Sequence, residues 1–397
     1  MKNNKAFTLI ELLAIIVILA IIAVIIVPII LNTIENSRVG DAIDLTYEYK
    51  EVISEYYVSQ MSDNQNLAIN GSYSVDNGTL KKCTETIQIS IAGDSPSVGW
   101  IKIKENEVTK GCLTIGDYKV ELIDGKFMVS GKGECDSEMP PVKFDEATPW
   151  EDIIDAIQSG ESVEGFEVGK EKKVTLTSKG DLGGTYTLRI ANLPSDEEKE
   201  EGCGTERFSE TACGVVLEFV DVIMEYMMNF SDFGILYGTN IGGWGASETR
   251  KYLNDAIYNS LPSEMKNAII DTKVISGHGS MSGESNFTTM DKLYLLATHE
   301  VWEDDDNDSK SGIDFYDTAY SLTRQLDYYK KLGVTASNYS GAKKTKYIYG
   351  ENEEVHWWLR STFSSNDVSF FSVRSSGDWN DDVSDVHYGV SPAFRIG

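Results

Sequence analysis

The chain has 397 residues with 35 basic and 63 acidic side chains, a formal charge of −28. Roughly 100–200 residues per domain predicts two or three domains, and a hydrophobic content of 41% with 25% charged residues excludes wholesale disorder. The acidic excess excludes nucleic acid as a partner, since phosphate-backbone binding needs clustered Lys and Arg. It reads as surface solvation ahead of cation binding.

Residues Phe7 to Leu31 form a run of 25 residues whose sole charge is Glu11. As a helix at ~1.5 Å per residue this run spans about 37 Å, enough to cross a ~30 Å hydrocarbon core. A basic hexapeptide, Met1-Lys2-Asn3-Asn4-Lys5-Ala6, precedes it, and Pro28 to Asn32 offer no small-residue site for signal-peptide removal. The basic flank is expected to stay cytoplasmic and the following ~365 residues to lie outside. A carboxylate within a membrane helix costs on the order of 2.5–3.5 kcal/mol, so Glu11 marks a function unless it snorkels to the interface.

Lys5-Ala6-Phe7-Thr8-Leu9-Ile10-Glu11-Leu12-Leu13 resembles the processing site of type IV prepilins and pseudopilins. The resemblance implies cleavage between Ala6 and Phe7 by an inner-membrane prepilin peptidase and methylation of the new N-terminus at Phe7. It makes Glu11 the fifth residue of the mature chain, paired with the amino terminus of a neighbouring subunit. Each charge then neutralises the other inside an apolar filament core. Ala6 departs from the family's usual Gly but remains small. Pro28 matches a proline common in pilins, where the lost backbone hydrogen bond kinks or loosens the helix. The implied partners are other pilin subunits, the peptidase and inner-membrane assembly machinery. The implied location is the cell membrane before assembly and a filament or the cell surface afterwards.

From Asn32 the apolar residues recur at three- and four-residue steps, predicting one helix that continues to about Ser59. Residues 60–136 switch to short alternating runs at Thr86–Ile91, Trp100–Ile103, Tyr118–Ile123 and Lys126–Val129, with hairpin signals at Asn70-Gly71 and Asn77-Gly78. The predicted fold is α+β: leader 1–6, membrane helix 7–31, a helix packed on a small antiparallel sheet over 32–136, a linker 137–149 marked by Pro140-Pro141, and a larger α+β domain over 150–397. All five cysteines lie beyond the span, where disulfides form. Cys112 with Cys135 would staple the end of the head, as a C-terminal disulfide loop does in many pilins; Cys83 with Cys112 is the alternative. Cys203 and Cys213 are expected to close a small loop.

The larger domain opens with a helix from Trp150 and strands at Lys173–Leu176 and Thr185–Ile190. Gly242-Gly243-Trp244, Ser276-Gly277-His278-Gly279, Trp357-Trp358-Leu359-Arg360-Ser361 and Gly389-Val390-Ser391-Pro392-Ala393-Phe394-Arg395-Ile396 follow. In this order these signatures resemble an uncharacterised domain of Gram-positive surface and secreted proteins. The ending is similar to the C-type-lectin-like fold of formylglycine-generating enzymes and hypervariable ligand-binding proteins. Those enzymes use a cysteine pair near the C-terminus, and here no cysteine follows Cys213. His299-Glu300 lacks the second histidine of a zinc protease, because Glu303 stands in its place. His278, His356 and His387 read as structural. The expectation is a protein that is not an enzyme, with no cofactor.

Two stretches remain as site candidates. Asp304, Asp306 and Asp308 have the spacing that lets alternate carboxylates converge on calcium, but Ser309 and Phe315 replace the glycine and glutamate of an EF-hand. A solvated acidic loop is favoured over a calcium loop. Trp357, Trp358, Phe370, Phe371, Trp379 and Tyr388 cluster near the C-terminus, with the strand residues expected inward and Asp378, Trp379, Asn380, Asp381 and Asp382 outward as ligand-binding candidates. The functional expectation is a minor pilin or pilin-like protein displaying an adhesion domain for a glycan or protein. The alternative is a membrane-anchored extracellular enzyme that uses a pilin-type export signal.

Overall fold

The computed structural model describes residues 9–63, 71–82, 85–104, 107–123, 125–159, 161–177, 183–193, 215–230, 238–305, 312–348 and 351–397. The chain divides into two compact units, Met1–Pro140 and Pro141–Gly397.

The first unit is built on one 55-residue helix, α1 (Leu9–Asp63), with Pro28 inside it. Its N-terminal half is long and apolar enough to cross a membrane, and its large apolar side chains from Leu9 to Ile34 are exposed. Farther along, Ala42, Thr46, Tyr49, Ile53 and Tyr57 form a buried stripe at three- and four-residue steps. That stripe packs on a seven-stranded sheet in the order β3-β2-β1-β4-β5-β6-β7. The strands are β1 (Gly71–Asp76), β2 (Thr79–Lys82), β3 (Glu85–Gln88), β4 (Val98–Lys104), β5 (Glu107–Ile115), β6 (Tyr118–Ile123) and β7 (Lys126–Lys132), every neighbouring pair antiparallel.

Alternation explains the face they bury: Ile101, Ile103, Leu113, Ile115, Val120 and Phe127 meet the helix. Burying Tyr49, Ile53 or Tyr57 against them contributes about 1.5–3 kcal/mol each. Asn77 (φ 48°) and Gly78 (φ 75°) make the two-residue turn between β1 and β2, whose twist demands positive φ at both positions. Tyr49 seals that turn, its hydroxyl donating to the Gly78 carbonyl at 3.1 Å. The other hairpin signal differs: Gly71 opens strand β1. Cys112 and Cys135 form a disulfide with a Cα–Cα distance of 5.7 Å, joining β5 to the segment after β7.

The second unit begins before the expected boundary. Val142 and Lys143 pair in parallel with Val163 and Glu164, and Phe144 is buried edge-on against Trp150 at 5.8 Å. Val142 to Phe144 are thus packed structure instead of linker, because Phe144 needs cover, whereas Asp145, Glu146 and Ala147 are exposed. The strands after these two are β10 (Glu171–Leu176), β11 (Gly184–Asn192), β12 (Val215–Phe219), β13 (Met224–Tyr226), β14 (Thr272–Ser276), β15 (Phe287–Asp291), β16 (Leu293–Tyr294), β17 (Lys344–Ile348), β18 (Glu351–Val355), β19 (Trp357–Thr362), β20 (Ser369–Val373), β21 (Trp379–Val383), β22 (Tyr388–Val390) and β23 (Ala393–Ile396), counting Val142–Lys143 as β8 and Val163–Glu164 as β9. Two five-stranded sheets, β10-β11-β12-β23-β16 and β13-β22-β19-β20-β21, share one apolar core. The C-terminal strand β23 lies between β12 and β16, so the near-continuous apolar runs of β12 and β23 are central strands buried on both faces.

Candidate ligand-binding site

The aromatic candidates separate by depth. Trp357, Trp358, Phe370 and Phe371 are fully buried, and both indoles are satisfied internally, Trp357 donating to the Ala342 carbonyl at 3.1 Å and Trp358 to that of Tyr226 at 3.0 Å. They are core. The acidic segment after them is not the outward loop expected from sequence: Trp379 to Val383 form β21, a half-buried strand at the edge of its sheet. The physical reason is the neighbour, since Phe371 on β20 needs cover and Trp379 packs on it at 5.8 Å.

Register then splits the candidates. Phe370 faces Asp382, Phe371 faces Asp381 and Val373 faces Trp379, and side chains alternate along a strand. Trp379 and Asp381 share one face; Asn380 and Asp382 share the other. On that other face Tyr388 donates to Asp382 Oδ2 at 2.5 Å. Arg374 donates to Asp378 Oδ2 at 2.7 Å and to Asn380 Oδ1 at 2.6 Å. Burial alone would raise the Asp378 carboxyl, but hydrogen bonds from Ser376 and Arg374 hold it below the usual range. Burial and then Asp382 push the Tyr388 phenol up.

The Trp379 face joins two candidates that sequence kept apart. Trp379 walls a cavity of about 350 Å³ with Asp304, Asp305, Gly312, Ile313, Ala336 and Ser337. An adjoining cavity of about 600 Å³ shares Asp304 and adds His299, Glu303, Asp314, Tyr320 and Arg324. Asp304 Oδ2 accepts from the Asp314 N–H at 3.1 Å. A side chain at Gly312 would come within 2.6 Å of Asp304 Oδ2 and 2.8 Å of Asp314 Oδ1, so both carboxylates would have to shift to admit one. Asp305 accepts from the Thr335 hydroxyl at 2.8 Å and from the Ser337 N–H at 3.1 Å. Hydrogen bonds from Ser337 and Thr335 hold its carboxyl below the ordinary range. Sequence spacing singled out Asp304, Asp306 and Asp308; it missed Asp305, whose partners lie some thirty residues downstream and leave no local signal.

Asp306 and Asp308 lie outside the described residues, as do Ala6, Phe7, Cys83, Cys203 and Cys213. Among the described residues no group of three or more His, Cys, Asp or Glu side chains is placed to hold a metal ion. Glu11 lies in the first turn of α1, and Pro28 sits in a helix that continues through it. His356 stacks on Tyr388 at 5.0 Å, and His299 stacks on Tyr320 at 4.0 Å with Nδ1 2.9 Å from the Tyr320 carbonyl.

Buried ion pairs hold the site's walls. Arg360 on β19 donates to Glu300 Oε2 at 2.5 Å and Oε1 at 3.2 Å, both side chains being wholly buried. It also donates to the carbonyls of Ile275 and Leu295, at 3.0 and 2.8 Å. This ties the segment leading to Asp304 to the sheet that carries β21. Elsewhere Glu218 accepts from Arg189 at 2.7 Å, Lys344 at 2.9 Å and Tyr329 at 2.9 Å. Asp291 accepts from Trp244 at 2.8 Å and Arg250 at 2.7 Å.

Together these features define a membrane-anchored chain of mixed α and β structure: a long apolar helix, a sheet packed on its far half, and a larger β-rich unit with an acidic, aromatic-walled groove. Residues 1–27 match the prokaryotic N-terminal methylation motif, and residues 235–397 match a domain of unknown function, DUF6273. The chain is therefore a prepilin-type N-terminus fused to a separate C-terminal domain. No curated protein and no solved structure matches it. The motif is a pilin-like export and processing signal, and it implies processing by prepilin peptidase and assembly with other pilins.

Proposed function

We propose that this protein is a minor pilin-like subunit whose stalk enters a surface filament and whose second unit, Pro141–Gly397, serves adhesion without catalysis. The observation that carries the reading is the single helix α1. Its first half is exposed and apolar behind a methylation motif, and its second half is buried on its own sheet. Among the described residues the apolar side chains of its first half are left uncovered, and packed copies of the same segment supply that cover. A second unit of more than 250 residues on every subunit would crowd a dense filament, which favours a rare or tip position. The groove beside Trp379 and the lectin-like ending of the sequence support a binding role.

The test is N-terminal mass analysis of the chain from cells with and without the peptidase, together with its detection in sheared surface filaments. The expected result is a methylated Phe7 terminus and filament incorporation. A chain that keeps Met1 to Ala6 in peptidase-positive cells would overturn the reading. Turnover of a substrate by the second unit, without attachment to any surface, would favour the enzyme alternative.

A further inference from the structure

The chain leaves the first unit by a segment that crosses its sheet. After β7 it turns at Gly133, whose φ of 131° suits glycine, and the Gly133 N–H donates to the Asp117 carbonyl at 2.9 Å. The Cys135 N–H then donates to Thr114 Oγ1 at 2.8 Å, and its sulfur is bonded to Cys112, both partners lying on β5. Met139 Sδ accepts from the Ser72 hydroxyl on β1 at 3.3 Å, and the unit ends at Pro140. In the sheet order β1-β4-β5-β6-β7 the segment thus runs from an edge back over the middle. It crosses the face turned away from α1, because Leu113 and Ile115 meet the helix and Cys112 and Thr114 alternate with them.

Where a pull on Pro140 enters the sheet decides what it must break. Along the backbone it would arrive at Lys132, the end of β7. That edge strand has β6 as its sole strand neighbour among the described residues, and the ladder opens at the Lys132–Tyr118 pair. Pulled from its open end, such a ladder parts one pair after another, so the pairs do not share the load. The disulfide gives a shorter route. It enters β5 at Cys112, which faces Trp100 on β4 and Glu121 on β6. To move, β5 must slip from between two neighbours, and both ladders resist together. Cys112 and Cys135 are buried, which shields the bond from thiols in solution. We infer that the Cys112–Cys135 disulfide carries tension between the second unit and the stalk, delivering it to the central strand β5 and bypassing the edge strand β7. Tension arises only where the second unit is displayed and holds something, and in that respect the inference rests on the adhesive reading.

The experiment is single-molecule pulling on the full chain in detergent micelles. Clickable handles at the exposed positions Ser37 and Lys143 make the load cross the first unit. The unaltered chain should give way in one step. The cysteines are 23 residues apart in sequence, so in the Cys112→Ser, Cys135→Ser chain an early step should appear that releases about 75 Å, at ~3.3–3.6 Å per residue. Its force should be about half that of the single step, since one ladder yields in place of two. Ile53→Ala weakens the same unit but keeps the link, so it should lower the single step without adding an early one. A protease site inserted after Gly125, at the exposed β6–β7 turn, supplies the converse test with the cysteines intact. The cut chain should hold the same force in one step. A lower force after cutting, or a serine variant that still yields in one step at the original force, would overturn the inference. Cells carrying the serine variant should attach at rest as wild-type cells do and detach under weaker flow; equal detachment also overturns it. If wild-type cells attach to nothing, the adhesive reading falls and the pulling results alone decide the path of the load.

Discussion

Replacing Arg360 with Met is the sharpest test of how the second unit is held together. In a wholly buried position the guanidinium donates two hydrogen bonds to Glu300 and one each to the carbonyls of Ile275 and Leu295. Methionine fills much of the volume but leaves the Glu300 carboxylate with the Ala297 N–H at 2.8 Å as its remaining hydrogen bond among the described residues. Removing one member of a buried pair costs about 3–5 kcal/mol, since the other charge is stranded. At about 2–4 °C per kcal/mol for a unit of this size, the melting temperature should fall by roughly 10 °C. Replacing both residues, Glu300→Leu with Arg360→Met, should recover more than half of that loss, because the double variant strands no charge. The assay is thermal unfolding of the full chain followed by near-ultraviolet circular dichroism. Hydrogen exchange should localise the loosening to residues 295–305 and β19. A single variant losing less than about 1 kcal/mol would refute the reasoning, since that is the range of an exposed pair.

Acid should destabilise the same unit through Glu218. Burial alone would raise its carboxyl, but Arg189 and Lys344 hold it down to about 2. A depressed folded value means a stabilising contribution that is complete above the ordinary ~4.3 and is lost as pH falls toward the folded value. Melting temperature should therefore drop between pH ~4.3 and ~2, with a shallower slope in Glu218→Gln. Replacing Cys112 and Cys135 together by Ser should cost about 3 kcal/mol in unfolding of the first unit, the scale for a loop of this length. Ile53→Ala should cost about 2–5 kcal/mol by opening a cavity between α1 and the sheet, read by denaturant unfolding. Tyr49→Phe should cost about 1 kcal/mol by leaving the Gly78 carbonyl without its side-chain donor.

Much of the first unit was legible because its signals are local. A helix crossing from an apolar run into a three-four stripe needs no knowledge of its partner, and the Asn77-Gly78 turn follows from the backbone freedom of those two residues. Trp357 and Trp358 are buried, as expected of the strand residues, although a tryptophan pair in a strand reads much the same facing a core or a ligand. The acidic segment at Asp378 to Asp382 misled for a related reason: polarity predicted a loop, and the need to cover Phe371 made it an edge strand.

The sequence by itself determined the anchor: a basic leader, an apolar span, one acid within it and a helix that continues into an amphipathic half. These are properties of contiguous residues, and a membrane or a single packing face reads them directly. Only the tertiary structure decided where the acidic groove beside Trp379 lies. Trp379, Asp305 and Ser337 come from separate parts of the chain and meet because a buried Glu300–Arg360 pair ties the segment before Asp304 to the sheet that carries β21. That convergence is a long-range packing outcome, and no spacing along the chain encodes it.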